Sequence, residues 1–235
     1  MKQIQLSERL KKVASYLPES ALFADIGSDH AYLPCHVCIH DSSSRAIAGE
    51  VNEGPFQAAV NQVTEQGLQE RIEVRKGDGL NVIEQGEVEQ VTIAGMGGKL
   101  IRHILEDGKD KLTKTERIIT QPNIDARVLR EWFIQHNYVL IHEDILEEDG
   151  HIYEILVADK GDSLAPYTDE REKELFFGPF LLKKKDPAFI KKWKHERDKL
   201  VKITEQMRQA TQPDEDKIKQ FQNQIKWIEE VLNHE

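Results

Sequence analysis

Residues 25–34 read Asp25-Ile26-Gly27-Ser28-Asp29-His30-Ala31-Tyr32-Leu33-Pro34, DIGSDHAYLP, directly after the apolar run ALF. An apolar run that ends in a glycine turn and opens a helical pattern is the strand–turn–helix half of a βαβ unit. A dinucleotide-binding loop carries a second glycine where this chain places Asp29. A pyrophosphate against this loop would meet like charge in a partly desolvated site, whereas a cationic ligand would meet attraction. The same Asp29 also fits a second role, capping the helix that follows.

Working outward, short β-branched runs alternate with helical patterns. Ser7 caps a helix over 7–17 that Pro18 ends; then come ALFADIG, a helix near 32–40, RAIAGEV, a helix over 55–66, RIEVRKGDG, QVTIAGMGG, a helix over 98–106, ERIITQPN and a helix over 125–136. This alternation predicts a parallel sheet with helices on both faces. YVLIHEDILEEDG and HIYEILVADKG then read as two strands joined by a tight Glu-Glu-Asp-Gly turn, an antiparallel hairpin at the sheet's end. Five αβ steps closed by such a hairpin resemble the Rossmann-like α/β fold of class I S-adenosylmethionine (SAM) methyltransferases, and differ from the six parallel strands of a nicotinamide dehydrogenase.

Beyond Gly161 the strands stop. Leu200, Ile203, Met207 and Ala210, then Ile218, Phe221, Ile225, Ile228 and Leu232, step by three and four around TQPDED with Pro213. Two helices forming a C-terminal antiparallel coiled coil are predicted, with Phe189 and Trp193 extending the first stripe and ELFFGPF docking the appendage. The domain division is therefore 1–160 for the sheet and 161–235 for the helical arm.

Ligands bind at the carboxyl ends of parallel strands, where strand order reverses. Four such ends are unusual here. DIGSDH offers Asp25, Gly27, Ser28, Asp29 and His30, with Gly27 permitting close backbone approach. AGEVNEG places Glu50, beside Val51, where a carboxylate accepts both ribose hydroxyls of a nucleoside. KGDGL places Asp78 and Gly79 after the third strand, where GDG is also an ordinary turn. AGMGG closes the fourth strand with Ala94, Gly95, Met96 and Gly97, nearly free of side-chain bulk, and Met96 suits the face of an adenine.

The totals bound the class. The 235 residues are 39% hydrophobic and 31% charged, with no apolar run approaching a bilayer span and an opening MKQIQLSERLKK that lacks a leader's apolar core, so a cytoplasmic location is expected. The two cysteines, Cys35 and Cys38, are spaced C-x-x-C near His36 and His40, but on a helix these side chains fan out, so small packing residues rather than a metal or redox site are expected. The formal net charge of -10 hides an asymmetry: residues 1–160 hold 17 basic against 27 acidic side chains, and residues 161–235 hold 15 against 15. Residues 183–202 hold nine basic against three acidic, including Lys183, Lys184, Lys185, Lys191 and Lys192, which reads either as a solvated helix face or as a phosphate-binding surface.

DIGSDHAYLP, AGEVNEGPFQAA, GDGL, AGMGG and QPN, in this order and spacing through essentially the whole chain, resemble the bacterial TrmK family, tRNA methyltransferases that modify N1 of adenine 22. The resemblance implies SAM as cofactor, tRNA as partner, and a cofactor and methyl-transfer centre surrounded by Asp25, Gly27, Asp29, His30, Glu50, Asp78, Gly95, Met96 and Gly97. It also turns the basic stretch toward phosphate contacts. AGMGG stands where adenine N6 enzymes carry an Asn/Asp-Pro-Pro-aromatic motif, which argues against chemistry at the exocyclic amine. Adenine N1 has a lone pair and no proton to lose, so positioning dominates; Asp29 is expected to stabilise the charge developing on the base, with Gln121, Pro122 and Asn123 as alternative partners for the base edge. A monomer or weak dimer without metal or membrane attachment is expected. The competing readings are a methyltransferase of another RNA or nucleoside, a nicotinamide oxidoreductase, which fits Glu50 but not Asp29, and a nucleotide-binding scaffold with a partner-binding arm.

Overall fold

The computed structural model describes residues 4–233, so the first three residues of the opening segment lie outside it. Seven strands form one sheet in the order β3-β2-β1-β4-β5-β7-β6. They are β1 (Leu22–Ile26), β2 (Arg45–Glu50), β3 (Ile72–Lys76), β4 (Gln90–Met96), β5 (Arg117–Pro122), β6 (Tyr138–Glu148) and β7 (His151–Lys160). β1 pairs with β2 on one side and β4 on the other, both in parallel. Strand order therefore reverses between β1 and β4, the crevice where such sheets hold ligands. β7 runs antiparallel between β5 and β6, so the hairpin folds back into the sheet and leaves β6 at the edge. The two-residue turn works because Asp149 and Gly150 both take positive φ, 50° and 79°.

Apolar runs along the strands bury both faces. On one face Ala24, Ile26, Val91, Ile93 and Ile118 pack against α4 (Gly98–Asp107) and α5 (Arg127–Gln135) through Ile101, Leu105, Leu129, Trp132 and Phe133. On the other, Phe23, Ala46, Ala48 and Ile72 pack against α1 (Glu8–Ala14), α2 (Tyr32–His40) and α3 (Glu53–Glu65) through Val13, Leu33, Cys35, Cys38, Ala59 and Val63. Both cysteines are unpaired and fully buried, and burial pushes their thiols up, to about 12 for Cys35 and about 11 for Cys38. They are packing residues. Ser7 caps α1 as expected, accepting a hydrogen bond from Leu10 N. α5 starts two residues later than its pattern suggests, because Asp125 takes a left-handed φ of 60° that no helix admits.

After β7 come α6 (Arg171–Phe177), α7 (Leu181–Lys184), α8 (Pro187–Arg208) and α9 (Glu215–Asn233). α8 and α9 pack as a pair through Leu200, Ile228 and flanking Phe221, Ile225 and Leu232, above a cluster of Phe177, Leu181, Phe189 and Trp193 that reaches Ile145 on β6. ELFFGPF is indeed the joint. The first heptad stripe ends early: Ala210 lies beyond α8 and is exposed, while Thr204 is buried and returns its hydroxyl to Leu200 O at 2.7 Å. Among the described residues no helix is long and apolar enough to cross a membrane.

Candidate active site

Among the described residues, the loop from β1 to α2 holds the longest run of left-handed backbone. Gly27 has φ 68°, and Asp29, His30 and Ala31 follow at 45°, 66° and 55°. Three consecutive non-glycine residues in this region cost about 1–3 kcal/mol each and persist only where their surroundings hold them. Two clamps do so. The amides of Gly27 and Ser28 both donate to Gly49 O, at 3.0 and 3.1 Å, tying the loop to β2. Asp25, 3% exposed, accepts from Ser28 Oγ at 2.5 Å and from Thr92 Oγ1 at 2.6 Å, and burial lifts its carboxyl to about 6.

The contortion arrays groups around Glu50 at the end of β2. Glu50 is 6% exposed, and its Oε1 is buried with no hydrogen-bond partner. Burial raises its pKa, opposed by the amides of Asp29 and His30 and reinforced by the Asp29 charge. A carboxylate whose Oε1 is left without a partner, beside the amides of Asp29 and His30, is the chemistry expected of a site that a nucleoside's hydroxyls complete. Asp29 itself points outward, with 86% of its side chain exposed and His30 Nε2 3.6 Å from Oδ1. The N-cap position of α2 is Ala31, with no side-chain cap. The capping role considered for Asp29 is thereby removed.

Across the crevice, β4 ends in Gly95 at φ 77° and Met96. A Cβ on Gly27 would overlap Met96 Cε, so the missing side chain and the methionine define one surface. Val51, 53% exposed, and Asp78, exposed at the start of the single helical turn Gly79–Val82, stand at the β2 and β3 ends of the same edge, with Ala94 and Gly97 flanking Gly95 and Met96.

The expectation for Gln121 requires correction. Its side chain is fully buried, and its Oε1 accepts from Gly95 N at 2.9 Å and from Arg9 on α1, while Nε2 donates to Asn123 Oδ1 at 3.2 Å. Fully buried and with Oε1 accepting twice, Gln121 shapes the glycine turn and is closed off from a base edge. Asn123 joins this clamp through Nδ2 to Gly95 O at 2.8 Å and N to Met96 O at 2.7 Å, yet is exposed beside buried Pro122. Arg9 was not singled out in the sequence; it lies 112 residues from its partner, and no local pattern marks it.

Part of the basic stretch has acidic partners. Lys192 pairs with Glu154, Lys191 with Glu147 at 2.6 Å and Lys184 with Asp144 at 3.2 Å, while Lys185 donates to Val231 O at 3.0 Å. Lys184, Lys191 and Lys192 thus reach across to the hairpin, whereas Lys185 bonds within the arm. Lys183 remains exposed, 5.7 Å above the Phe180 ring. Lys192 belongs to a buried network in which Arg130 meets Glu143 at 2.7 Å and Glu154 at 2.6 Å.

Between this joint and the β5–α5 loop lies a cleft of about 550 Å³. Pro122, Asn123 and Ile124 form its end nearest the glycine turn, and Phe176, Trp193, Trp227 and α9 amides line the rest. The aromatic residues were read as stripe only; their clustering comes from α6, α8 and α9 meeting. Among the described residues no group of three or more His, Cys, Asp or Glu comes together to hold a metal.

A family model described as TrmK, tRNA (adenine(22)-N(1))-methyltransferase, matches residues 23–230. A Bacillus subtilis (strain 168) protein named tRNA (adenine(22)-N(1))-methyltransferase is 50% identical over 237 residues, covering 100% of both chains. The crystal structure of the B. subtilis m1A22 tRNA methyltransferase TrmK superposes with TM-score 0.93 at 49% identity, covering 98% of this chain and 100% of that one. Streptococcus pneumoniae Sp1610, a putative tRNA (m1A22) methyltransferase solved with S-adenosyl-L-methionine, gives TM-score 0.86 at 41% identity over 97% of this chain and 100% of that one.

Proposed function

Because the chain belongs to the TrmK family of tRNA (adenine(22)-N(1))-methyltransferases, we propose an assignment of its residues to the steps of that reaction. The protein is a SAM-dependent enzyme that methylates N1 of adenine 22 in tRNA. The observation that carries the assignment is the buried Glu50 carboxylate with its unpartnered Oε1. SAM held there supplies an electrophilic methyl group on a sulfonium centre.

Glu50 accepts the ribose hydroxyls, Gly27 makes room for Met96, which lines the adenine side, Gly95 bends the β4 end toward the ligand and Asp78 sits where the cofactor's amino group would reach. Asp25 and Ser28 hold the loop, and Gln121 and Asn123 hold the glycine turn. N1 attacks in line, so the enzyme's task is to orient the base and to meet the positive charge that appears on it. The exposed carboxylate of Asp29 suits that task by accepting a hydrogen bond from the base's amino group. Since the N1 edge is inaccessible in a stacked and paired nucleotide, the target must be turned out, at a cost of a few kcal/mol that contacts elsewhere on tRNA repay. Residues 1–160 carry the chemistry and residues 161–235 supply those contacts, with Lys183 at the surface. The same reading places the enzyme in the cytoplasm as a monomer or weak dimer.

The test is methylation of transcribed tRNA with methyl-labelled SAM, followed by nuclease digestion. Label is expected in 1-methyladenosine at position 22 and should vanish when adenine 22 is replaced by guanine. Label at another nucleotide, or label that survives the replacement, would overturn the reading.

A further inference from the structure

The cleft beside the β5–α5 loop has a chemistry of its own. Its floor is aromatic: the Phe176 ring lies 4.7 Å from that of Trp193 and 6.1 Å from that of Trp227. Trp193 is 4% exposed, and its Nε1 is a buried donor without a partner. Gln220, Asn223 and Gln224, on successive turns of α9, present amides that both donate and accept. The charges nearby are largely matched. Arg127 pairs with Glu131 at 2.8 Å and Glu172 at 2.7 Å, Lys199 sits 3.3 Å from Glu196, and Lys192 is held by Glu154. Lys99, at the end nearest the glycine turn, is the one lining cation without an ion pair among the described residues, so phosphate finds a single free charge at the mouth and matched charges along the rest. A neutral planar heterocycle finds a face to stack on, a buried N–H and amides for its edge, which is how unstacked bases of single-stranded RNA are recognised.

Position narrows the ligand. Asn123, at one end of the cleft, bonds Gly95 O at 2.8 Å, so the cleft opens next to the glycine turn of the methyl-transfer centre. A nucleotide turned out into that centre would bring its neighbours in the strand toward this mouth. We propose that the cleft is a second nucleobase site, taking an unpaired base of the tRNA near the target adenine, stacked on Trp227 and Phe176 and read by Asn223 and Gln224. This rests on the tRNA assignment and adds to it a base contact made by the arm.

The experiment uses the full chain and an unmodified tRNA transcript containing adenine 22. Affinity is measured by fluorescence anisotropy across a series of salt concentrations, SAM affinity by calorimetry and 1-methyladenosine by digestion. For Trp227→Leu and for Asn223→Ala with Gln224→Ala, tRNA binding should weaken about tenfold, as expected for one lost stacked base, with an unchanged salt slope because no phosphate contact is removed. SAM affinity should stay as in the wild type, and Trp227→Phe should recover most of the loss. The paired amide substitutions lie on the α9 surface, so they decide the matter if Trp227→Leu fails to fold. Unchanged tRNA affinity in that pair, or weakened binding with a shallower salt slope, overturns the base site. If the wild-type protein methylates adenine 22 while the variants bind tRNA normally, only the cleft proposal falls; if the wild type fails to methylate adenine 22, the assignment of function falls first.

Discussion

Two carboxylates four residues apart, Asp25 and Asp29, have opposite environments and therefore opposite consequences when replaced. Asp29 is exposed and caps nothing, so Asp29→Ala should cost only the strain of alanine at a left-handed φ of 45°, about 1 kcal/mol. If it meets the charge on the base, its loss should lower kcat by about 100-fold or more, as for other groups aimed at developing charge, while SAM affinity changes little. A variant that loses SAM binding but keeps its rate at saturation would assign Asp29 to the cofactor instead. Asp25 is buried, its carboxyl raised to about 6 from an ordinary value of 3.8. The folded state thus holds this proton more tightly than the unfolded chain. Its contribution is favourable below pH 4 and is lost as pH rises toward 6, a swing on the order of 3 kcal/mol. Asp25→Asn removes the titration, so the difference in Tm between variant and wild type should move in the variant's favour from pH 4 to pH 6.5. Parallel Tm curves for the two proteins would show that Asp25 does not titrate in this range.

Among the elements, the glycine turn after β4 is held from outside itself. Gln121 Oε1 accepts from Gly95 N, and its amide is fully buried. Gln121→Leu would leave the Gly95 amide and Arg9 without this acceptor, at about 1–3 kcal/mol for a buried group deprived of its bond. Because Gln121 acts through the turn, its replacement should reduce kcat and weaken SAM together, and Gln121→Glu, which keeps the acceptor, should restore more of both than Leu does. The two properties measured side by side distinguish this from simple loss of stability, which chaotrope titration would report alone. This clamp also shows where sequence reading stops. The strands β1 to β4 were legible because each is a short run rich in β-branched or apolar residues that ends at a glycine or acid, β5 because RIIT repeats that run before Pro122, and the loop at Asp29 because a carboxylate replaces an expected glycine. Gln121 and Arg9 were not, since 112 residues separate the partners and QPN looks the same whether its glutamine faces ligand or core. The lysine stretch was legible only in part for a related reason: counting charges over 183–202 does not reveal that Glu154, Glu147 and Asp144 from the hairpin pair with three of those lysines.

For the whole molecule, those pairings make the arm part of the fold's energetics rather than an attachment. Arg130 on α5 is 1% exposed and bonds Glu143 on β6, Glu154 on β7 and, at 3.1 Å, Leu175 O on α6; Glu143 also accepts from Phe180 N at 3.0 Å, and Lys192 of α8 completes the set. A cut after residue 161 would remove the Leu175 carbonyl, the Phe180 amide and Lys192 together, exposing the network to water, so such a fragment is not a clean test of the arm's role. A single substitution in the full chain is better. Arg130→Met should destabilise by about 3–5 kcal/mol, because two buried carboxylates lose their shared cation. The sign with pH is definite. Burial already raises Glu143, and without Arg130 its carboxyl rises further, so the variant loses stability as pH climbs through that raised value, while at lower pH the carboxyl takes a proton and the deficit shrinks. Glu154, held low despite burial by Lys192 and Arg130, keeps Lys192 and contributes less to this dependence. Denaturant titration at pH 5 and pH 8 should therefore show a smaller gap between variant and wild type at pH 5. An equal gap at both would mean that water or rearrangement of the joint compensates Glu143, and that the arm can shift on the sheet without an ionic penalty.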